Sequence, residues 1–272
     1  MESFYRRTEA GIEVVNRMES AAGHTYLLDM TTLSLVAPDL EAQVAGADWR
    51  AIEEHLRERP YATLPWRLSA EECARLAALW NDAGAFRSHV DMARHRFGIG
   101  EYRYFAHPLP AVVQAFRQQL YPPLAEIANR WTDSLGGRER FPATFDVFEA
   151  RCAEAGQRRP TPLLLRYEAG GYNCLHQDVY GAVAFPMQVV LFLSRPGLDF
   201  EGGEFLLVQQ RPRAQSVAEA IPGAQGEMVV FANRYWPARG GRGFHRTNVR
   251  HGVSRVRAGT RFALGIIFHD AA

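Results

Sequence analysis

The sequence predicts a mainly β protein with flanking helices, an antiparallel sandwich or barrel preceded by helical segments. Two observations carry that expectation. After Pro162, short apolar runs separated by glycine and proline follow one another: LLLRY, MQVVLFL, EFLLV, EMVVF and RFALGIIF. Runs of this length with no long helix between them indicate antiparallel strands. Before Pro162 the apolar residues recur mostly at helical spacing, so the helices come first and the sheets second.

In chain order, residues 1–45 show no strong period, although TYLLDMTTLSLVAP (25–38) could supply an added strand or two. They are read as an N-terminal extension with no assigned role. From Asp48, DWRAIEEHLRER has a helical pattern and YATLPW is strand-like. SAEECARLAALWNDAG reads as a helix with an N-cap at Ser69, Glu72 three residues on, and Gly84 closing it. Residues 110–132 read as a helix interrupted at Pro122-Pro123, and 144–155 as another helix. The expected organisation is one domain over 46–272, with helical support over 46–160 and a β core over 161–272.

With 272 residues, 47% of them hydrophobic, the chain can build one large packed domain. It has no uncharged apolar run of about eighteen residues and no apolar signal-peptide core at its start, which predicts a soluble, cytoplasmic protein. Cys73, Cys152 and Cys174 are widely spaced and form no CxxC pair, so neither a disulfide framework nor a thiolate zinc site is expected. The net charge of +1 argues against the overall basic character of an obligate nucleic-acid binder. All 31 basic residues are arginine, so an arginine by itself does not signal bidentate recognition.

The stretch RYEAGGYNCLHQDVYG (166–181) holds His176 and Asp178 two positions apart. His-x-Asp alone is a weak signal, but residues i and i+2 of a strand project to one face and can bind one ion together. His251, opening the strand-like RHGVSRVRAGTRFALGIIF, is the candidate third ligand. Two histidines and one carboxylate leave three positions of an iron open, the arrangement of non-haem Fe(II) oxygenases. The other seven histidines lack such company and are taken as structural or surface residues. Arg261 lies ten residues after His251, in an apolar run. A lone arginine entering a barrel must meet an anion. That anion is either an internal Asp or Glu, or the distal carboxylate of 2-oxoglutarate, whose 2-oxo acid end would chelate iron and leave one position for O2. Gln188, the only polar side chain between Ala182 and Leu193, would touch cosubstrate or substrate if it faces inward, and an outward orientation is equally compatible.

These residues resemble the Fe(II)/2-oxoglutarate-dependent dioxygenases over roughly 60–270. HGVSRVRAGTR and DFEGGEFLLV resemble motifs of the prolyl-hydroxylase type, and QGEMVVF resembles the strand preceding its distal histidine. RYEAGG…LHQD is similar to AlkB-type nucleic-acid demethylases, which implies that Tyr167 contacts 2-oxoglutarate. FRSHVDMARHRFGIGEYRYF, GQRRPTPLLLRY, GYNCLHQD, GGEF, RHGVSR and GIIFHD together resemble a bacterial family described as oxygenases acting on damaged DNA. The resemblance implies a double-stranded β-helix (jelly roll, cupin-like) with N-terminal helices. It further implies Fe(II) on His176, Asp178 and His251, and 2-oxoglutarate on Arg261 assisted by Tyr167. The chain departs from the AlkB pattern at Leu165, where that type has asparagine, and at Tyr180, where it has an acid. The spacing from His251 to Arg261 follows the prolyl-hydroxylase type instead.

Substrate class is approached through charge. Between Glu227 and Asp270 there is no acidic residue, yet eight arginines occur (234, 239, 242, 246, 250, 255, 257 and 261). This segregation suggests a phosphate-bearing or otherwise anionic substrate. Residues 87–105 interleave arginines with Phe97, Tyr102, Tyr104 and Phe105, suited to stacking bases and tracking phosphates. The alternative there is a helix and loop that packs its aromatics on the barrel. The expected activity is C–H hydroxylation with release of succinate and CO2, either as demethylation of a methylated base in single-stranded or damaged nucleic acid, or on a peptide or small anionic substrate. A jelly-roll binding protein with a vestigial metal motif is the non-enzymatic alternative.

Overall fold

The computed structural model describes residues 2–8, 11–19, 25–27, 36–211, 213–241 and 243–272, with side chains from Leu40 onward. Residues 28–35 of the expected added strands, and Arg242, lie outside the described residues. Near the start, β1 (Glu2–Thr8), β2 (Gly11–Glu19) and β3 (Thr25–Leu27) form a three-stranded antiparallel sheet.

Helix α1 (Val36–Gly46) falls where the sequence shows no strong period, and its Leu40 and Val44 belong to the main core. The helical support therefore begins ahead of residue 46, correcting the boundary placed there. Next come α2 (Trp49–Glu58), capped by Asp48, and β4 (Tyr61–Arg67). Helix α3 (Ala70–Ala78) carries the capping box formed by Ser69 and Glu72. It stops at Ala78, not Gly84, and two 3-10 turns follow, the second capped by the Asp82 carboxylate accepting from the Gly84 N–H.

The arginine and aromatic segment is mainly strand, not helix and loop: β5 (Phe86–Asp91), a single turn α4 (Met92–His95), β6 (Gly98–Ile99) and β7 (Glu101–Phe105). The alternation in EYRYF suits a period of two, and β7 pairs with β5 on one side and the core on the other. Helix α5 (Ala111–Ser134) runs unbroken through Pro122 and Pro123. Its buried residues from Val112 to Trp131 pin both halves against the core, which offsets the missing N–H donors. Helix α6 (Phe145–Glu154) follows as expected.

The core strands are β8 (Leu163–Glu168), β9 (Tyr172–His176), β10 (Met187–Phe192), β11 (Phe200–Gly202), β12 (Phe205–Gln210), β13 (Val217–Ile221), β14 (Glu227–Ala232), β15 (Tyr235–Gly240), β16 (Gly243–Val253) and β17 (Val256–Ile266). They pair antiparallel in two sheets. The larger runs β4-β14-β10-β17-β8-β7-β5 with β11 on β17; the smaller runs β13-β12-β16-β9-β6 with β15 on β16. The chain thus crosses repeatedly between the two sheets, from β8 to β9, β9 to β10, β11 to β12, β13 to β14, β14 to β15 and β16 to β17, the jelly-roll arrangement expected from the sequence. Strand β10 is buried along its whole length, in one cluster with both α5 and the smaller sheet. His251 lies near the end of β16 instead of opening a strand, and β17 starts five residues later with Arg261 inside it.

Candidate metal and cosubstrate site

Strand pairing brings the first two imidazoles together: His251 on β16 is the register partner of His176 on β9, and their ring centroids are 4.2 Å apart. Asp178 lies just past the end of β9. Its Oδ1 is 3.7 Å from His176 Nε2 and its Oδ2 is 3.1 Å from His251 Nε2. One donor atom from each of the three residues lies within 4.8 Å of the others. His176 Nδ1 is 2.7 Å from the Cys174 carbonyl; an N–H there donates to that oxygen and leaves Nε2 as the free lone pair.

The Asp178 main chain is held at both ends by one buried side chain. Asn233 Oδ1 accepts the Asp178 N–H at 3.0 Å, and Asn233 Nδ2 donates to the Asp178 carbonyl. Gln177, between the two ligands, turns the other way: its Nε2 donates to Asn248 Oδ1 and to the Val249 carbonyl, both at 2.7 Å on β16. The strand carrying His176 is thereby tied to the strand carrying His251.

The carboxylate itself has further partners. Tyr180 donates its hydroxyl to Asp178 Oδ1 at 2.6 Å, and Tyr104 donates in turn to Tyr180 at 2.9 Å. Gln188 is 3% exposed and faces inward, resolving its orientation; its Nε2 is 3.0 Å from Asp178 Oδ2 and 3.2 Å from His251 Nε2. Burial pushes the Asp178 carboxyl up, but the His176 charge, the His251 hydrogen bond and charge, and the Tyr180 hydroxyl together hold it well below the usual carboxylate range. Burial, reinforced by the His176 charge and opposed by Asp178, lowers the pKa of His251. A neutral imidazole and an ionised carboxylate are the states in which these groups ligate a metal. Two imidazoles and one carboxylate converging on one point fit Fe(II), a fit read from the donor set.

Arg261 on β17 is the register partner of Tyr167 on β8 and is 2% exposed. Its guanidinium carbon is 5.7 Å from the Tyr167 ring centroid, 5.7 Å from that of Phe192 and 5.9 Å from that of Phe200. Among the described residues no carboxylate pairs with it. Burial lowers its pKa, opposed by Tyr167 and more distantly by Glu204, whose carboxylate instead takes the Ser254 hydroxyl. Gly203, at φ +62°, explains the GGEF motif: a Cβ there would stand 3.0 Å from Arg261 Cδ and 2.9 Å from Val256 Cγ2. Gly100 does the same for Tyr167, since its Cβ would lie 2.7 Å from the ring.

One cavity of about 410 Å³ is lined by the triad, by Arg261 and Tyr167, and by Tyr102 and Tyr104. The structure therefore unites all six residues singled out in the sequence. Gln188 lies on the metal side of this cavity, against Asp178 and His251. Sequence reasoning missed Asn233 and the Tyr104–Tyr180 pair. Asn233 gave no signal beyond being a polar residue after an apolar run; Tyr180 stood out only as a departure from the AlkB pattern.

The chain is similar to known proteins in sequence and in structure. Residues 100–271 match the model of the Oxygenase-NA family, described as "Oxygenase, catalysing oxidative methylation of damaged DNA". Two Mycobacterium tuberculosis proteins, from strains CDC 1551 and H37Rv, are each 47% identical over 182 residues, covering 65% of this chain and 78% of theirs. Among solved structures, a Pseudomonas putida prolyl-4-hydroxylase is similar with a TM-score of 0.48 at 16% identity, over 82% of this chain and all of that one. A Burkholderia pseudomallei oxidoreductase of the 2OG-Fe(II) oxygenase family gives 0.49 at 18% identity, over 84% of this chain and 94% of its own.

Proposed function

Since the chain belongs to the Oxygenase-NA family and is thus an oxygenase, we propose that it is an Fe(II)- and 2-oxoglutarate-dependent dioxygenase acting on a methylated base in nucleic acid. The observation that carries the cosubstrate assignment is Arg261. It is a buried guanidinium that no carboxylate pairs with among the described residues, facing the same cavity as a His-Asp-His triad. Such a charge calls for an anionic ligand.

His176, Asp178 and His251 would hold the iron. Held there, Fe(II) would activate O2, the oxidant, for C–H hydroxylation, one oxygen atom going to the substrate and the other to 2-oxoglutarate as it is oxidised to succinate and CO2. Arg261 binds the distal carboxylate by charge-assisted hydrogen bonds. Tyr167 and the neighbouring phenylalanines fix the direction of its guanidinium. The apolar strand residues Leu165, Val190 and Ala263 line the same cavity and exclude water from it. Tyr180 and Gln188 each hold one oxygen of Asp178, so the carboxylate keeps one orientation when substrate enters. Hydroxylation of an N-methyl group gives a hydroxymethyl product that leaves as formaldehyde and restores the ring nitrogen. The base must be unpaired to reach the cavity.

The damaged-DNA description of the family supports the substrate. The ten-residue spacing of His251 and Arg261, similar to the prolyl-hydroxylase type, favours a peptide or small-molecule substrate as the second reading. Iron- and 2-oxoglutarate-dependent succinate formation tests the dioxygenase reading, and its absence from iron-loaded, folded protein sinks it. Formaldehyde release from methylated oligonucleotides, against hydroxylation of peptides, decides the substrate.

A further inference from the structure

A second cavity, of about 360 Å³, is lined by Arg138, Arg234, Tyr235, Arg246, Val179 and Asn233 among others. Asn233 is the residue that clamps Asp178, and Val179 follows Asp178 in the chain. The two cavities thus share a wall at the metal ligand.

This second cavity is basic and its charge is free. Arg234 and Arg246 both bear on one ring, with their guanidinium carbons 4.7 and 4.8 Å from the Tyr235 centroid. Both arginines are exposed, and among the described residues neither has a carboxylate partner. Arginines elsewhere, such as Arg57, Arg67, Arg130, Arg140 and Arg195, are taken up in ion pairs. The one acid lining the cavity, Glu139, is paired to Arg151 at 3.1 Å. The β15–β16 hairpin extends the feature. Tyr235 pairs with Asn248, Pro237 with Arg246 and Arg239 with Phe244, so alternate positions place Tyr235, Arg246, Arg239 and Phe244 on one face. Phe244 is 41% exposed.

Two guanidinium forks steadied by one aromatic ring, with no acid to neutralise them, match phosphate oxygens in charge and geometry. Phe244, the exposed aromatic of the same face, offers a stacking surface to a base. We infer that the cavity of Arg138, Arg234, Tyr235 and Arg246 docks the phosphodiester backbone of single-stranded nucleic acid, while the target base enters the neighbouring metal cavity. This rests on the nucleic-acid reading above and gives that substrate its place on the protein.

The test is fluorescence anisotropy of a short labelled single-stranded oligodeoxynucleotide against the full chain across a salt series. Losing two phosphate contacts in the double variant Arg234→Ala/Arg246→Ala reduces the slope of log affinity against log salt by about 1.4, with weakened binding at low salt. The pair Arg234→Lys/Arg246→Lys, which keeps the charge, retains most of the slope. Arg195→Ala, at an exposed arginine already paired with Asp199, binds as the parent protein does. A double alanine variant that melts like the parent and binds with the same affinity and slope overturns the docking site. So does competition by poly-glutamate as effective as that by unlabelled oligonucleotide, since it shows a site for any polyanion. If the parent protein itself shows no salt-dependent binding, the docking site and the nucleic-acid substrate fall together. Succinate formation by the parent then reports separately on the iron and 2-oxoglutarate chemistry.

Discussion

Asn233 holds Asp178 by both main-chain groups, accepting its N–H at 3.0 Å and donating to its carbonyl, across 55 positions of sequence. An asparagine amide used this way acts as one rung of a sheet where β9 has already ended. It sets where the candidate metal-binding carboxylate begins.

Replacing Asn233 with alanine leaves a buried N–H and a buried carbonyl unpaired. The expected cost is about 1 to 3 kcal/mol for each group left unpaired. Affinity for Mn(II) or Fe(II) falls about 10- to 100-fold, because the ligand loses its support. Denaturant unfolding and metal titration measure the two effects, and a variant with parental metal affinity would show that the clamp does not position Asp178.

Tyr180→Phe removes the hydroxyl that donates to Asp178 Oδ1 but keeps the ring. Burial, then the charge of Asp178, raises the Tyr180 pKa well above its ordinary value, so it is a protonated donor throughout the neutral range. Metal affinity is expected to drop about tenfold with little change in melting temperature. Tyr104→Phe, one bond further out, has the smaller effect in the same titration.

Arg261→Met separates stability from function. Removing a buried, unpaired charge leaves the protein without ligand at least as stable as the parent by thermal melting. The same change takes away the proposed partner of the distal carboxylate, so the KM for 2-oxoglutarate is expected to rise by about 30-fold or more, equivalent to about 2 kcal/mol. Melting well below the parent would mean that Arg261 is a structural residue.

Thiol chemistry follows burial. Cys73 is fully buried and burial pushes its pKa up to about 11; Cys152 is buried and raised likewise, while Cys174 is exposed. A thiolate is the reactive form, and a raised pKa means that it is present only as pH climbs toward that value. At about pH 8 a thiol reagent is therefore expected to modify Cys174 alone in the native protein, and all three cysteines after denaturation. Fast labelling of Cys73 in the native state would contradict the packing around α3.

The sequence by itself determined the order of elements and which groups make up the candidate centre. Apolar runs of strand length after Pro162, and the pattern of His176, Asp178, His251 and Arg261 with GGEF between them, are local or ordered along the chain, so they are legible in the residues alone. Local pattern misleads where packing overrides propensity, as in α5, where Pro122 and Pro123 suggest a break that the buried faces do not allow. For 87–105 the helix-and-loop alternative fell to the alternation of EYRYF and its pairing with β5 and β8. The inward turn of Gln188, the Asn233 clamp, the Tyr104–Tyr180 chain and the unpaired state of Arg261 came only from tertiary structure. Each depends on a contact between residues far apart in sequence, and a hydrogen bond or a missing counter-ion has no periodicity to announce it. What the chain's order encoded was which groups are present; what folding decided was which of them face one another across the cavity.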